Sequence, residues 1–170
     1  MREALIHSPP RLKLKGVEFY THYALAFCLL LPTILLIFSL ATRKYSSSAI
    51  PDMRLICVWT LAASAFFAWF QTRALRFRIV ETSESAGVNY QKVMEAIGRT
   101  DWRISQHRDE SQIVAKVPGA ASWGERVEVR FHGTYVYVNS ICDPSTWFQL
   151  IAWGDNLSHI AYIRHAVTGI

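Results

Sequence analysis

Two apolar runs in the first half, Thr21–Ala41 and Leu55–Phe70, constrain this chain more than anything else in it. A bilayer core about 30 Å thick takes roughly 20 helical residues to cross, because no water there can satisfy a bare backbone. THYALAFCLLLPTILLIFSLA reaches that length, with no charge between Glu18 and Arg43. Pro32 falls mid-run and predicts a kink, which membrane helices tolerate. LICVWTLAASAFFAWF is shorter; carried through Gln71 and Thr72 it spans, with flanking arginines reaching back to the interface. Trp59, Trp69 and Phe70 suit interfacial or helix-packing positions. The alternative is a pair of buried helices in a soluble core, and the length of the runs argues against it. For the first run a cleaved signal peptide is a second alternative, with Ser39-Leu40-Ala41 as its small-residue site. The long basic tail ahead of the run favours an anchor.

Lysine and arginine beside the runs set the expected orientation. Arg2, Arg11, Lys13 and Lys15 precede the first run, and Arg73, Arg76 and Arg78 follow the second. The connecting loop holds Arg43, Lys44 and Arg54 around a Ser-rich stretch. The basic excess lies on the side shared by both termini, which predicts a multi-pass inner-membrane protein with both termini cytoplasmic. The expected layout is a basic tail over 1–20, spans over 21–41 and 55–72, and an external loop over 42–54. A basic juxtamembrane segment over 73–80 and a cytoplasmic domain over 81–170 complete it. The net charge of +5 and pI of 9.3 invite a nucleic-acid reading. After Val80, however, eight bases face ten acids, a net of −2. Positive charge follows the membrane flanks, where anionic head groups attract it, and no nucleic-acid partner is expected.

The remainder reads as one small α+β unit. Ser83 or Ser85 caps a helix whose Tyr90, Val93, Met94 and Ile97 share one face, ending at Gly98. Four alternating segments follow: one from Trp102, one through Ile113, Ala115 and Val117, one through Val127, Val129 and Phe131, and Tyr135–Ile141. In the third, Arg126, Glu128 and Arg130 fill the other parity, as in a half-buried strand. His132-Gly133-Thr134 marks a hairpin. Asp143-Pro144 resembles a helix start, and Ser145–Val167 reads as helix, broken near Gly154-Asp155. The expected fold class is membrane-anchored α+β: two transmembrane helices, then helix, four-stranded antiparallel meander, helix, with the helices on one sheet face. At roughly 90 residues the part from about Arg78 is large enough to bury a core of its own.

Catalytic signatures are sparse. Cys28 and Cys57 lie in the spans, and no CxxC pair exists. Cys142-Asp143 with His159 or His165 imitates a thiol–imidazole pair, but a packed cysteine beside a capping aspartate explains the same residues. His107, His132, His159 and His165 lack the paired spacing of a zinc site. His22 has the position of an interfacial side chain, with axial ligation of a haem or chlorin as the sharper alternative. Asn156-Leu157-Ser158 matches a glycosylation sequon, idle in a cytoplasmic domain. No phosphate-cradling glycine loop, HExxH or GxSxG is present.

Two Trp-Gly-acid elements stand out, Ser122-Trp123-Gly124-Glu125 and Trp153-Gly154-Asp155-Asn156. Together with Asn139–Pro144 (NSICDP), they give the second half a pattern that resembles uncharacterised bacterial membrane proteins with two N-terminal spans and a small α+β tail. That resemblance implies a fold and no mechanism. Packing is the expected use of both tryptophans.

Two function classes follow. The first is a non-enzymatic accessory, scaffold or assembly subunit of a larger membrane complex, of respiratory or photosynthetic type. Its partners are the lipid bilayer and other integral membrane subunits. The interface residues expected are Trp59, Ala62, Ser64, Phe66, Trp69, Trp123 and Trp153, with Ala63 and Ala65 adding small residues for close helix packing. No cofactor of its own is expected, and contact with a pigment or haem inside such a complex stays open. The second class is a membrane-tethered enzyme or small-ligand sensor, which needs polar groups converging in a pocket.

Overall fold

Uninterrupted apolar sequence builds two long antiparallel helices, and alternation builds the sheet that packs beneath them. The computed structural model describes residues 10–42, 50–118, 124–143 and 153–169. The first expected span is divided. A short helix α1 (Val17–His22) starts after Gly16, whose φ of 55° suits glycine, and stops at Tyr23. The long helix α2 (Ala24–Ala41) then runs through Pro32 as one continuous helix. Helix α3 (Ile50–Ala74) is longer at both ends than the sequence suggested. At about 1.5 Å per residue, the 18 residues of α2 cover about 27 Å and the 25 of α3 about 37 Å. Both are long and apolar enough to cross a membrane, and only 11% of each apolar window is buried, unlike a core helix.

Polar contacts fix the pairing of α2 with α3. The Tyr23 and Thr72 hydroxyls lie 3.0 Å apart, Ser64 Oγ donates to the Ala26 carbonyl at 2.9 Å, and the Thr33 and Thr60 hydroxyls meet at 2.7 Å. As the chain climbs α2 it descends α3. A hydroxyl in an apolar setting needs a partner, and these hydroxyls find theirs within the hairpin.

After the hairpin the described residues hold five antiparallel strands, not four. They are β1 (Arg78–Glu81), β2 (Arg103–Arg108), β3 (Gln112–Val117), β4 (Glu125–His132) and β5 (Tyr135–Cys142). Their order across the sheet is β1-β5-β4-β3-β2. The meander is as expected; the extra strand comes from the juxtamembrane segment, which pairs with β5 from Arg78↔Val138 to Glu81↔Tyr135. The β4–β5 hairpin turns on Gly133 at φ 59°, the left-handed entry that a type II′ turn reserves for glycine.

Helices α4 (Ala86–Gly98) and α5 (Trp153–Thr168) cover one face of the sheet. Ile113, Val127, Val129, Val136 and Val138 point to that side, where Val93, Ile97 and Ile163 meet them, all buried. Ser85 is the N-cap of α4, its Oγ 3.5 Å from the Val88 N–H, and the helix ends at Gly98. Buried Asn89 ties α4 to the preceding loop, donating to Thr82 Oγ1 at 2.7 Å and to the Glu84 carbonyl at 3.1 Å. Gly154 and Asp155 lie inside the first turn of α5. The expected helix start at Pro144 falls outside the described residues.

The opposite face is where the expected half-buried strand fails. It is not open to water. Leu12, Leu75 and Phe77 pack on Tyr137 and Ile141 there, so the chain before and after the helical hairpin forms a second, smaller core.

Candidate functional site

Around that second core, the sequence's outward-reading residues form a buried ionic cluster. Glu128 is 1% exposed. Arg130 Nε and Nη2 both donate to its Oε1, at 2.8 and 2.7 Å, and Gln112 Nε2 adds a third donor at 2.8 Å. Arg126 Nη2 lies 3.4 Å from Oε2, and its Nη1 donates to Glu18 of α1 at 3.2 Å. The Arg130 guanidinium sits over the Phe77 ring, 4.6 Å from its centroid. Charge balances in this cluster, two carboxylates against two guanidiniums, as burial demands. Asn139, on the same face, donates Nδ2 to the Ala74 and Arg76 carbonyls at 2.9 and 3.0 Å. It thereby satisfies carbonyls freed at the end of α3. Burial behind the leucines pushes the Tyr137 phenol above its ordinary pKa, and the neighbouring Tyr135 adds to the effect. Three independent contacts therefore tie sheet to hairpin: the apolar cluster, the Asn139 bonds and the Glu18–Arg126 pair.

The interface residues expected on α3 divide by face. Ser64 turns inward to α2. Trp59, Ala62, Phe66 and Trp69 are all exposed and share the other side at helical spacing. Trp59 is 68% exposed, Phe66 56% and Trp69 53%. Arg73 continues the stripe, its guanidinium 4.9 Å from the Trp69 centroid. Of the small-residue run, Ser64 is buried against α2 whereas Ala62 and Ala65 point away. His22 uses Nε2 to donate to the Gln71 carbonyl at 3.0 Å, closing the base of the hairpin. Trp123 lies outside the described residues. Trp153 opens α5, and its side chain lies outside them too.

A second polar cluster occupies the helix-covered side. Buried Glu125 places Oε2 2.6 Å from His159 Nδ1 of α5, a close ion-pair distance without an aligned hydrogen bond. Ser140 Oγ lies 3.4 Å from the same carboxylate oxygen and 3.1 Å from Asn156 Oδ1. Trp102 stands edge-on to the His159 ring, and Tyr162 Oη donates to the Ala96 carbonyl at 2.8 Å. Cys142 is the cross-strand partner of Glu125. The imidazole that the sequence offered to this thiol is thus held by a carboxylate. The visible work of the cluster is to join α5 to β4 and β5. Lys116 and Asp143 pair at 2.6 Å on the other side of the sheet. Among the described residues no three His, Cys, Asp or Glu side chains gather as metal ligands do.

An open groove of about 620 Å³ runs between edge strand β1 and α5, with Arg78, Glu81 and Arg164 as its charged walls. No sequence motif announces it, because β1 itself is hidden in a basic stretch.

No family model, curated protein or solved structure matches this chain.

Proposed function

We propose that the chain is a non-enzymatic accessory or scaffold subunit of a larger membrane complex. Helices α2 and α3 anchor it in the inner membrane, with both termini cytoplasmic. The observation that carries this reading is the exposed stripe Trp59–Ala62–Phe66–Trp69 on α3, opposite the side that α2 covers. Large side chains in a line on a spanning helix give a neighbouring span a surface to pack on. The triple attachment of the sheet adds to it, since a domain held in one orientation presents the same surface to each partner. Hairpin geometry supports a shared side for the two termini, and the basic residues flanking that side supply the orientation.

Site-specific photocrosslinking in native membranes tests the stripe. A crosslinker at Phe66 is expected to trap an integral membrane protein, while one at buried Cys57 traps only this chain's own α2. Lipid adducts alone at Phe66, with a monodisperse monomer after purification in mild detergent, would sink the scaffold reading. Orientation has its own test: a cysteine engineered at Ser47 is expected to react with an impermeant reagent from outside, and reaction only after inner-face exposure reverses it.

A second reading, a membrane-tethered enzyme or small-ligand sensor, draws on the groove beside β1, where Arg78 and Arg164 supply cationic walls. A small molecule retained through purification and released by Arg164→Ala favours it over the scaffold.

A further inference from the structure

Arg11 and Arg76 face each other across an isolated antiparallel bridge. The bonds framing it run from Leu12 N–H to the Leu75 carbonyl at 2.8 Å and from Phe77 N–H to the Pro10 carbonyl at 3.1 Å. That is the non-hydrogen-bonded register, which brings facing Cα atoms to about 4.5 Å and their side chains closest. The backbone therefore starts two arginine side chains from adjacent points on the same side of the bridge. Like charges directly opposite each other are unfavourable. Both side chains are exposed, and among the described residues neither has an acidic partner. Their neighbours explain the backbone, since Leu12, Leu75 and Phe77 turn inward. They do not explain why both outward positions are arginine.

An anion between them does. A phosphate accepts forked, charge-assisted bonds from two guanidiniums at once and turns the repulsion into attraction. Lys13, also exposed, continues the alternating outward row from Arg11, and Arg73 stands one turn before Arg76. Arg76 lies two residues past the end of α3, so on the anchoring reading above, on which this inference rests, the pair sits at head-group depth. The exposed apolar surface of the hairpin is then adjacent for acyl chains. A choline or ethanolamine head group would bring a further cation into this row, whereas a head group of net negative charge would not. We propose that Arg11 and Arg76 clamp the phosphate of an anionic glycerophospholipid.

The test uses the full chain in neutral detergent, with phosphatidylglycerol or phosphatidylcholine added, read by native mass spectrometry and by Tm. Phosphatidylglycerol is expected to be retained in preference and to raise Tm. Arg11→Gln and Arg76→Gln are each expected to cut retention about tenfold, the worth of one charge-assisted bond. The double variant should lose less than the product of the two, because the arginines act on one phosphate. Without lipid, both single variants should melt no lower than the unaltered chain, the repulsion being gone. Lys92→Gln, on the far layer of the domain, should retain lipid normally. Equal retention of the two lipids, or unchanged retention in both variants, overturns the clamp. Losses that simply multiply replace it with a diffuse basic surface. Inorganic phosphate that protects as well as the lipid makes the ligand a free anion and overturns the lipid assignment. Alkaline extraction of membranes separates the failure of the anchor: release of the unaltered chain overturns anchoring and clamp together, while a retained chain that fails the lipid test overturns the clamp alone.

Discussion

The two faces of the sheet carry the same strands and opposite chemistry. One is covered by α4 and α5 and is filled by Ile113, Val127, Val129 and Val138, without a charge at its centre. The other is covered by the chain flanking the hairpin, and its centre is a buried carboxylate held by two arginines and a glutamine. Apolar contact is non-directional and settles that a layer packs. A buried ionic cluster tolerates few geometries, because each charge left without a partner costs several kcal/mol, on the order of its desolvation. The helix-covered face thus makes the domain, and the polar face fixes how the domain meets the helical hairpin.

The comparison breaks first at Glu128. Glu128→Ala removes the buried carboxylate between the half-buried Arg126 and Arg130 and is expected to cost about 3 kcal/mol, the low end for a broken buried pair because water reaches both guanidiniums, measured by denaturation of the full chain in detergent. Ile163→Ala, at the centre of the other face, should cost about 2–5 kcal/mol by cavity formation. The two are told apart by limited proteolysis. Loss of Glu128 should expose the segment around Leu12 and α1 while α4 and α5 stay protected; loss of Ile163 should do the reverse. Simultaneous opening in both variants would mean one cooperative unit and dissolve the distinction.

A smaller effect sharpens it. Asn139→Ala removes both donors from the Ala74 and Arg76 carbonyls and should cost about 1–3 kcal/mol. Its signature is faster hydrogen exchange between Leu75 and Val80 with β3 and β4 unchanged. Uniform acceleration would show that Asn139 supports the whole sheet. The smallest effect belongs to neither face. Arg99→Ala breaks an exposed i,i+4 pair with Glu95 and should change stability by less than about 0.5 kcal/mol, a baseline for the other three.

The first face was legible in the sequence because its cause is local. Alternation in β3 and β4 and the Tyr90–Val93–Ile97 spacing in α4 each read out within a few residues, and all proved inward-facing. The second face was not. Arg126, Glu128 and Arg130 look solvated in any short window, since Glu18, which meets Arg126, and Phe77, which meets Arg130, lie far away in the chain. Strand β1 was hidden for a related reason: four residues opening on Arg78 read as the basic exit of a span. The β2–β3 turn was hidden too, because Asp109 and Glu110 hold positive φ without a glycine to announce it. On α3 only the course of α2 separates Ser64, which it covers, from the exposed Trp59, Phe66 and Trp69.

The packing of Leu12 on Tyr137 and Ile141 also sets a clock. Leu12 leaves the ribosome long before Tyr137 and Ile141, which share its cluster. Spans inserting during synthesis would hold the tail at the membrane with its leucines uncovered until β5 is complete. Contacts this distant in sequence are then slow to close, and the tail waits for its place until the sheet is made.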